Sequence, residues 1–406
     1  MILRARVVVT MDGEPIENGA VAVAGDRISA VGRWPDVKGR AGGNVIDLGG
    51  MVLLPGLINA HCHLDYTLLR GVIPPQRSFT AWIQSINERK ASLTPEDYVR
   101  SIEAGFAEAA EFGTTTMANL AAFPELIPRI SDVPVRTWWF AEMIDVRAAV
   151  SGAEVLANLQ RAVQDREDHF GGVGLAPHAP YTASHELYAE AAALAAEWGL
   201  PLTTHLAESA EEMQMFSEGD GALFDFMNEI GRSMDDCDGM TPVGMMLKRE
   251  VLNGRWIVAH LNELRPADLS LLGNAPRFHI AHCPRSHGYF GHAPFLLREL
   301  RALGFNLCLG TDSLASNADL SLFAEMREVR RTLPSLPAVE ILRMATANGA
   351  AALGQGEMLG RLRVGYLADM IGIPSEAAAE DVFEEIIDFT GPVPWRMVNG
   401  RATHRS

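Results

Sequence analysis

The sequence predicts an α/β protein: a (β/α)₈ barrel accompanied by a small β domain made from both chain ends. Three observations predict it. From Leu57 onward, eight short apolar runs each lead into a longer stretch with helical spacing. Histidines and one aspartate fall at or just after the ends of several of those runs. Short strand-like runs punctuated by glycine fill the first fifty-odd residues and return in the tail.

The elements follow in order. Residues 7–9, 19–23, 27–31, 45–48 and 51–54 read as strands, with Gly13, Gly25-Asp26 and Gly32 as turns and Pro55-Gly56 as a stop. The eight barrel-strand candidates are 56–61, 114–118, 135–140, 173–176, 201–205, 255–260, 278–282 and 305–309. Helical stretches include 95–112, 153–169, 185–198 and 294–303, with 320–333 and 338–353 after the last strand. The tail returns to strands at 365–373 and 396–401. The expected division is a β domain of residues 1–55 and 356–406 and a barrel of residues 56–355. The longest segment between barrel strands, 206–254, carries several Met and acidic residues and reads as a helical insertion over the barrel mouth.

A doubly wound sheet would also alternate strand and helix. The barrel is favoured because His61, His205, His260, His282 and Asp312 lie at the ends of different strands. Barrel enzymes gather their chemistry at the C-terminal ends of the strands.

Composition narrows the class. At 406 residues the chain can hold one large domain and a smaller one. Hydrophobic residues at 48% and charged residues at 21% fit a soluble globular enzyme. A net charge of −17 argues against nucleic acid as a partner. No apolar run reaches the roughly 18 residues of a membrane span, and the N-terminus lacks a signal-peptide pattern, so the expectation is a cytoplasmic protein with no membrane partner. Cys62, Cys237, Cys283 and Cys308 are scattered, as reduced and mostly buried thiols would be. The lysines number three, Lys38, Lys90 and Lys248.

The chemistry begins at His61-Cys62-His63. Residues at i and i+2 of a strand share a face, so the two imidazoles project together and Cys62 points away. His205 ends the fifth strand, with Glu208 three residues on, and Asp312 follows the eighth. Three imidazoles and a carboxylate suit Zn²⁺ and leave room for a water.

These segments resemble a known family. Leu54-Pro55-Gly56-Leu57-Ile58-Asn59-Ala60-His61-Cys62-His63 is similar to the first-strand motif of the amidohydrolase superfamily. His205-Leu206-Ala207-Glu208, His282-Cys283-Pro284-Arg285-Ser286 and Gly310-Thr311-Asp312-Ser313 resemble later motifs of its cytosine deaminase and triazine hydrolase branch. Gly365, Ala368 and Asp369 in the tail match as well, so the resemblance spans essentially the whole chain. It implies a distorted (β/α)₈ TIM barrel, a flanking β-sandwich from both termini, and one catalytic metal. Two-metal members usually bridge their ions with a carboxylated lysine on the fourth strand. No lysine lies between Lys90 and Lys248, and 173–178 offers no glutamate, so a single-metal site is expected.

The resemblance also implies roles. His61, His63, His205 and Asp312 bind one divalent ion, with Zn²⁺ the first expectation and Fe²⁺ or Mn²⁺ compatible. The ion activates a hydroxide, Asp312 takes the water proton, Glu208 exchanges a proton with the substrate ring nitrogen, and His260 hydrogen-bonds the water or the developing oxyanion. His178, in Pro177-His178-Ala179-Pro180-Tyr181-Thr182, is expected in the substrate pocket. Trp82 either stacks on a substrate ring or packs a helix. Relatives acting on adenosine-like thioethers carry an acidic residue shortly before that tryptophan, whereas Thr80 and Ala81 stand there here. Relatives commonly show Ser-Asn after the proline of the seventh-strand motif. Here Ser286-His287 leads into Gly288-Tyr289-Phe290-Gly291-His292, similar to deaminases of the futalosine route to menaquinone. His287 and His292 are either part of that likeness or plain loop residues.

The expected function is therefore a metal-dependent aminohydrolase acting on an amino-substituted nitrogen heterocycle. The leading substrate is a purine nucleoside derivative such as aminodeoxyfutalosine. The same site would serve a hydrolytic dechlorinase or a cyclic-amide hydrolase, and a barrel kept as a non-catalytic scaffold is the third alternative. The expected partner is a small-molecule substrate, with homodimers common among relatives.

Overall fold

The computed structural model describes residues 1–40 and 43–404. The chain opens with β1 (Ile2–Val8), β2 (Ile16–Ala24) and β3 (Arg27–Arg33), then a helix α1 (Trp34–Arg40) that the sequence reading missed, then β4 (Val45–Asp47) and β5 (Met51–Pro55). The barrel strands are β6 (Leu57–His63), β7 (Thr114–Ala121), β8 (Arg136–Met143), β9 (Gly172–Pro177), β10 (Leu202–Leu206), β11 (Trp256–His260), β12 (His279–His282) and β13 (Asn306–Leu309), with a two-residue β14 (Asp312–Ser313). The tail supplies β15 (Met370–Pro374), β16 (Trp395–Val398) and β17 (Arg401–His404).

Strands from both chain ends share one mixed sheet, in the order β17-β16-β15-β5-β1-β2-β3, with β4 beside β1. Period-two alternation sorts its two faces. Leu3, Ala5, Val21, Val23, Met370 and Trp395 share one cluster, while Ile2, Ala20 and Ala22 pack under Val37 of α1.

The second sheet runs β13-β12-β11-β10-β9-β8-β7-β6-β14, parallel throughout. Its order closes on itself, because β13 and β14 are two halves of one strand. β13 pairs with β12, and β14 pairs with β6 through Asp312 opposite Cys62 and Ser313 opposite His63. The break falls at Gly310-Thr311. A Cβ on Gly310 would stand 2.7 Å from the His61 carbonyl oxygen, so only glycine lets the eighth strand come this close to the first. Asn59 stitches the seam: its amide nitrogen donates to Thr311 Oγ1 at 2.7 Å, and its oxygen accepts from Thr311 N at 3.2 Å.

Two elements differ from expectation in an instructive way. The third barrel strand runs on to Met143 instead of stopping at 140, which places Glu142 at its C-terminal end. The helix expected over 153–169 is α4 below and ends at Gln164, because Asp165-Arg166-Glu167-Asp168 offers no apolar residue to bury. The barrel helices relevant to the mouth are α2 (Phe79–Lys90), α3 (Pro95–Glu111), α4 (Gly152–Gln164) and α5 (His185–Trp198). The predicted insertion is helical, with α6 (Ala210–Glu218), α7 (Ala222–Glu229) and α8 (Pro242–Lys248). Glu211 of α6 accepts from the backbone N–H of Phe79 at 3.1 Å and of Thr80 at 2.8 Å, tying α6 to the start of α2. At the opposite end of the barrel, Arg136 of β8 makes a two-pronged pair with Asp369, at 2.7 and 3.1 Å, and donates to Asn399 at 3.0 Å. No helix among the described residues is long and apolar enough to cross a membrane.

Candidate metal centre and substrate pocket

β6 is buried along its whole length, so its alternation decides which side chains meet inside the ring. His61 and His63 face the interior. Cys62 turns outward among Leu64, Phe106 and Trp139, and its thiol donates to the Ala118 carbonyl at 3.4 Å. His205 near the end of β10 donates from Nδ1 to the His178 carbonyl oxygen at 2.8 Å. A carbonyl only accepts, so Nδ1 carries the proton and Nε2 keeps its lone pair. That Nε2 stands 3.2 Å from Nε2 of His63. Asp312 Oδ2 accepts from the hydroxyls of Ser286 at 2.7 Å and Ser316 at 3.2 Å. These bonds turn Oδ1 toward the histidines, 3.7 Å from His61 Nε2 and 3.8 Å from His63 Nε2.

Ligand atoms of His61, His63 and His205 lie within 4.8 Å of one another, as do those of His61, His260 and Asp312. Both ring nitrogens of His61 and Nε2 of His260 are buried without a hydrogen-bond partner. Leaving a buried polar group unpaired costs about 1–3 kcal/mol, and several such atoms converge here. Burial and the neighbouring rings push His63 well below the ordinary imidazole range and His205 down to about 4. Burial would raise the Asp312 carboxyl, but the facing rings of His61, His260 and His63 outweigh it and hold it well below the carboxylate range. Neutral imidazoles and an ionised carboxylate are the metal-binding forms. The donor set therefore fits a divalent cation of the kind bound by nitrogen and oxygen.

Glu208 sits beside this cluster with different electrostatics. Burial, then the charges of Asp312 and Glu212, push its carboxyl well above the usual range, toward the protonated form. Its Oε1 lies 3.6 Å from His260 Nε2. The turn that presents Glu208 is held by a residue the sequence reading passed over. Glu212 accepts from Ala207 N at 3.1 Å and from Glu208 N at 2.7 Å, and Ser209 caps the Glu212 N–H at 3.1 Å. Ala207, His260, Leu261 and Asp312 all adopt positive φ, between 50° and 73°, an uncommon conformation for residues other than glycine. They lie at the ends of strands five, six and eight, around the histidine cluster.

A cavity of about 630 Å³ opens onto the cluster. His63, His205, Glu208 and Asp312 line its inner end, together with His178, whose Nδ1 is 2.7 Å from Thr182 Oγ1. Trp82 lines the wall and also packs, with its ring edge-on to Phe290 at 5.0 Å and stacked on Phe79 at 6.1 Å. Its contacts with Phe79 and Phe290 match the packing alternative. Thr80 is buried and takes its carboxylate contact from Glu211, away from the cavity. His287 and His292 are not among the cavity-lining residues. His287 Nδ1 is 3.0 Å from Asn262 Oδ1, and Asn262 donates to the Glu208 carbonyl at 3.1 Å. His292 Nδ1 lies 3.8 Å from Glu263. Glu142 and Lys90 line the cavity too, and nothing in their sequence context distinguished them from other charged residues.

Relatives and neighbours agree with this geometry. A 5-methylthioadenosine/S-adenosylhomocysteine deaminase of Nitratidesulfovibrio vulgaris is 33% identical over 393 residues, 93% of this chain and 84% of the relative. An adenosine deaminase of Xanthomonas campestris solved with bound zinc superposes with a TM-score of 0.82 at 26% identity, covering 99% of this chain and 92% of that one. The aminofutalosine deaminase of Helicobacter pylori, solved with methylthio-coformycin, gives a TM-score of 0.85 at 20% identity and 99% coverage of both chains, a likeness of fold. The sequence model of the Amidohydrolase family matches residues 52–390, from β5 before the histidine pair to the segment between β15 and β16. With most of the chain matched and the motif histidines gathered at one end of a closed parallel ring, this chain belongs to the amidohydrolase family.

Proposed function

We propose that this chain is a purine nucleoside deaminase that replaces the amino group of an adenine-type ring with oxygen and releases ammonia. The observation that carries the proposal is the placement of Glu208, 3.6 Å from His260, beside His63, His205 and Asp312 in the lining of one cavity. The 33% identity to a methylthioadenosine/adenosylhomocysteine deaminase selects the substrate class.

His61, His63, His205 and Asp312 would hold one divalent ion, with Zn²⁺ suited to three nitrogens and one oxygen. When bound, such an ion acidifies a water enough to provide a nucleophile near neutral pH. Glu208 donates its proton to the ring nitrogen beside the amino-bearing carbon, which makes that carbon more electrophilic. Asp312 Oδ1 accepts the proton of the attacking water. The Ser286 and Ser316 hydroxyls on Oδ2 keep Oδ1 aimed inward. His260 hydrogen-bonds the oxygen as charge develops on it. Asp312 passes the water proton to the amino nitrogen, the carbon–nitrogen bond breaks and ammonia leaves, and the hydroxyl proton goes to the Glu208 carboxylate, which leaves a ring carbonyl and restores Glu208. His178, buttressed by Thr182, and Trp82 position the ring.

Ammonia release from 5′-methylthioadenosine, 5′-deoxyadenosine, aminodeoxyfutalosine, cytosine and an aminotriazine tests the proposal. Turnover of at least one adenosine derivative above the other two rings is expected. A preparation carrying about one metal ion per chain that deaminates only cytosine or the triazine would overturn it.

A further inference from the structure

His287 lies outside the cavity lining and has no place in the proposed reaction, yet two hydrogen bonds join it to Glu208. It stands in the helix Pro284–Phe290 that follows β12, where its backbone N–H donates to the Cys283 carbonyl at 2.9 Å. Asn262, in the turn after β11, is the buried link. The Glu208 carbonyl oxygen only accepts, so the Asn262 amide nitrogen faces it, at 3.1 Å. Asn262 Oδ1 is thereby turned to His287, 3.0 Å from Nδ1. An amide oxygen also only accepts, so His287 Nδ1 carries the proton that it donates. Donation runs in one direction, from ring to amide to carbonyl.

The turn that carries Asn262 is also tied to the end of β10 through its backbone. The N–H of Leu261 donates to the Leu206 carbonyl at 3.0 Å, and the N–H groups of Asn262 and Glu263 both donate to the Ala207 carbonyl at 2.9 Å. Glu212 holds the Glu208 N–H at 2.7 Å, and Asn262 holds the Glu208 C=O, so each backbone polar group of Glu208 has one buried side-chain partner. Ala207 and Leu261 sit at φ of 50° and 55°. Residues in that conformation stay there only when their surroundings hold them. Without a donor at 287, Asn262 Oδ1 becomes a buried acceptor with no partner, and the amide is free to turn away from Glu208. We infer that His287 is a positioning residue for Glu208. Its Nδ1–H fixes the Asn262 amide, the amide fixes the Glu208 carbonyl, and the carbonyl sets the direction in which the Glu208 carboxyl enters the cavity. The inference rests on the proposed role of Glu208 as the group that exchanges a proton with the substrate ring.

His287→Leu, measured on the metal-loaded enzyme, removes the donor and keeps apolar bulk. A fall in kcat of about tenfold is expected, the size of one hydrogen bond, with KM and metal content unchanged. His287→Asn is expected to restore most of that loss, because the amide nitrogen stands about where Nδ1 stood and donates in its place. A donor that acts through Glu208 has nothing to act on in Glu208→Gln. Adding His287→Leu to that variant is therefore expected to cost less than about twofold more, whereas an independent structural role would multiply the two losses. Hydrogen exchange across residues 206–213, followed by mass spectrometry, is expected to quicken in His287→Leu, and it is read whether or not ammonia is released. Asn262→Leu breaks the same link one step later and gives the same kcat, coupling and exchange, so it takes the place of His287→Leu if that variant fails to fold. Unchanged kcat in the Leu variant that folds, losses that multiply in full, or an equal loss in His287→Asn overturns the inference. Faster exchange in an enzyme that releases no ammonia from any ring sinks the deaminase proposal and spares the tie to Glu208. Deamination with kcat and exchange both unchanged in His287→Leu does the reverse.

Discussion

Two sets of buried polar groups at opposite ends of the barrel are treated in opposite ways. At the N-terminal end of the strands, Arg136 is buried and fully engaged, with Asp369, Asn399 and the Phe170 carbonyl as partners. At the C-terminal end, His61 is buried with neither ring nitrogen bonded, and His260 Nε2 is likewise alone. Folding stability alone explains the first arrangement and penalises the second. An end of a fold that leaves its polar atoms unpaired is built around something else, and the chemistry of those atoms says a cation. The proposed function puts reactivity at the His61 end and leaves Arg136 to stability, as the fold generally arranges them.

The comparison breaks most visibly at His61. His61→Ala is expected to leave less than about 0.2 metal ion per chain, against about one in the wild type, with deamination lost. Elemental analysis beside an ammonia assay reads both. A variant that keeps its ion and turnover would mean that the unpaired nitrogens are merely tolerated.

Next in size is Glu208→Gln. The amide keeps the volume and cannot donate an acidic proton, so turnover is expected to fall about 10²- to 10⁴-fold while metal content stays. The wild-type pH profile carries the sign of the same effect. Burial raises the Glu208 carboxyl, and in the proposed mechanism the protonated form is the active one. Activity is therefore present below its pKa and falls as pH rises through it. An alkaline limb that persists unchanged in Glu208→Gln would assign that limb to another group.

At the other end, Arg136→Ala removes one partner of a buried pair and strands Asp369. A loss of about 3–5 kcal/mol in denaturant unfolding is expected. Metal content and kcat per folded molecule should match the wild type. A variant of normal stability with impaired kcat would erase the distinction between the two ends.

The legibility of the two ends in the sequence was also unequal. The histidine pair, His205 and Asp312 stood out because strand-end position and ligand chemistry coincide in a few residues. Gly310 stood in the sequence only as part of a motif, and its reason, that a side chain there would strike His61, is visible in the structure alone. The alternation of short strands and helices gave the ring, with strand ends misplaced by a few residues, as at Met143. Other features depend on partners far away in the chain. Arg136 meets Asp369 across 233 positions, and Glu142 reaches the pocket only because β8 runs past its expected end. Helix α1 was missed because its seven residues include a proline and a glycine, and it packs on the sheet through Val37 with Trp34 partly buried beside it. Ser286, in the helix Pro284–Phe290, and Ser316, in the loop after β14, orient Asp312 together, a relation no local pattern encodes.

Glu212 is the smallest and sharpest test of where positioning ends and packing begins. It lies at the reactive end, yet it is fully engaged, with both oxygens on backbone N–H groups of Ala207 and Glu208. In that respect it behaves like Arg136, and the comparison assigns it to the fold. Its two acceptors, however, fix the residue pair that carries Glu208 into the cavity, and Ala207 is held there at a φ of +50°. Glu212→Gln replaces one acceptor oxygen with an NH₂ that cannot accept from an amide. The turn then loses one of its two ties. Loss of a single such bond predicts a fall in kcat of about tenfold, with KM and metal content near wild type, since neither the ion nor the ring contacts change. Lower stability with full kcat would make Glu212 a packing residue. A drop in kcat at preserved stability would show that the reactive end needs its own fully satisfied support, one turn away from the atoms it leaves bare.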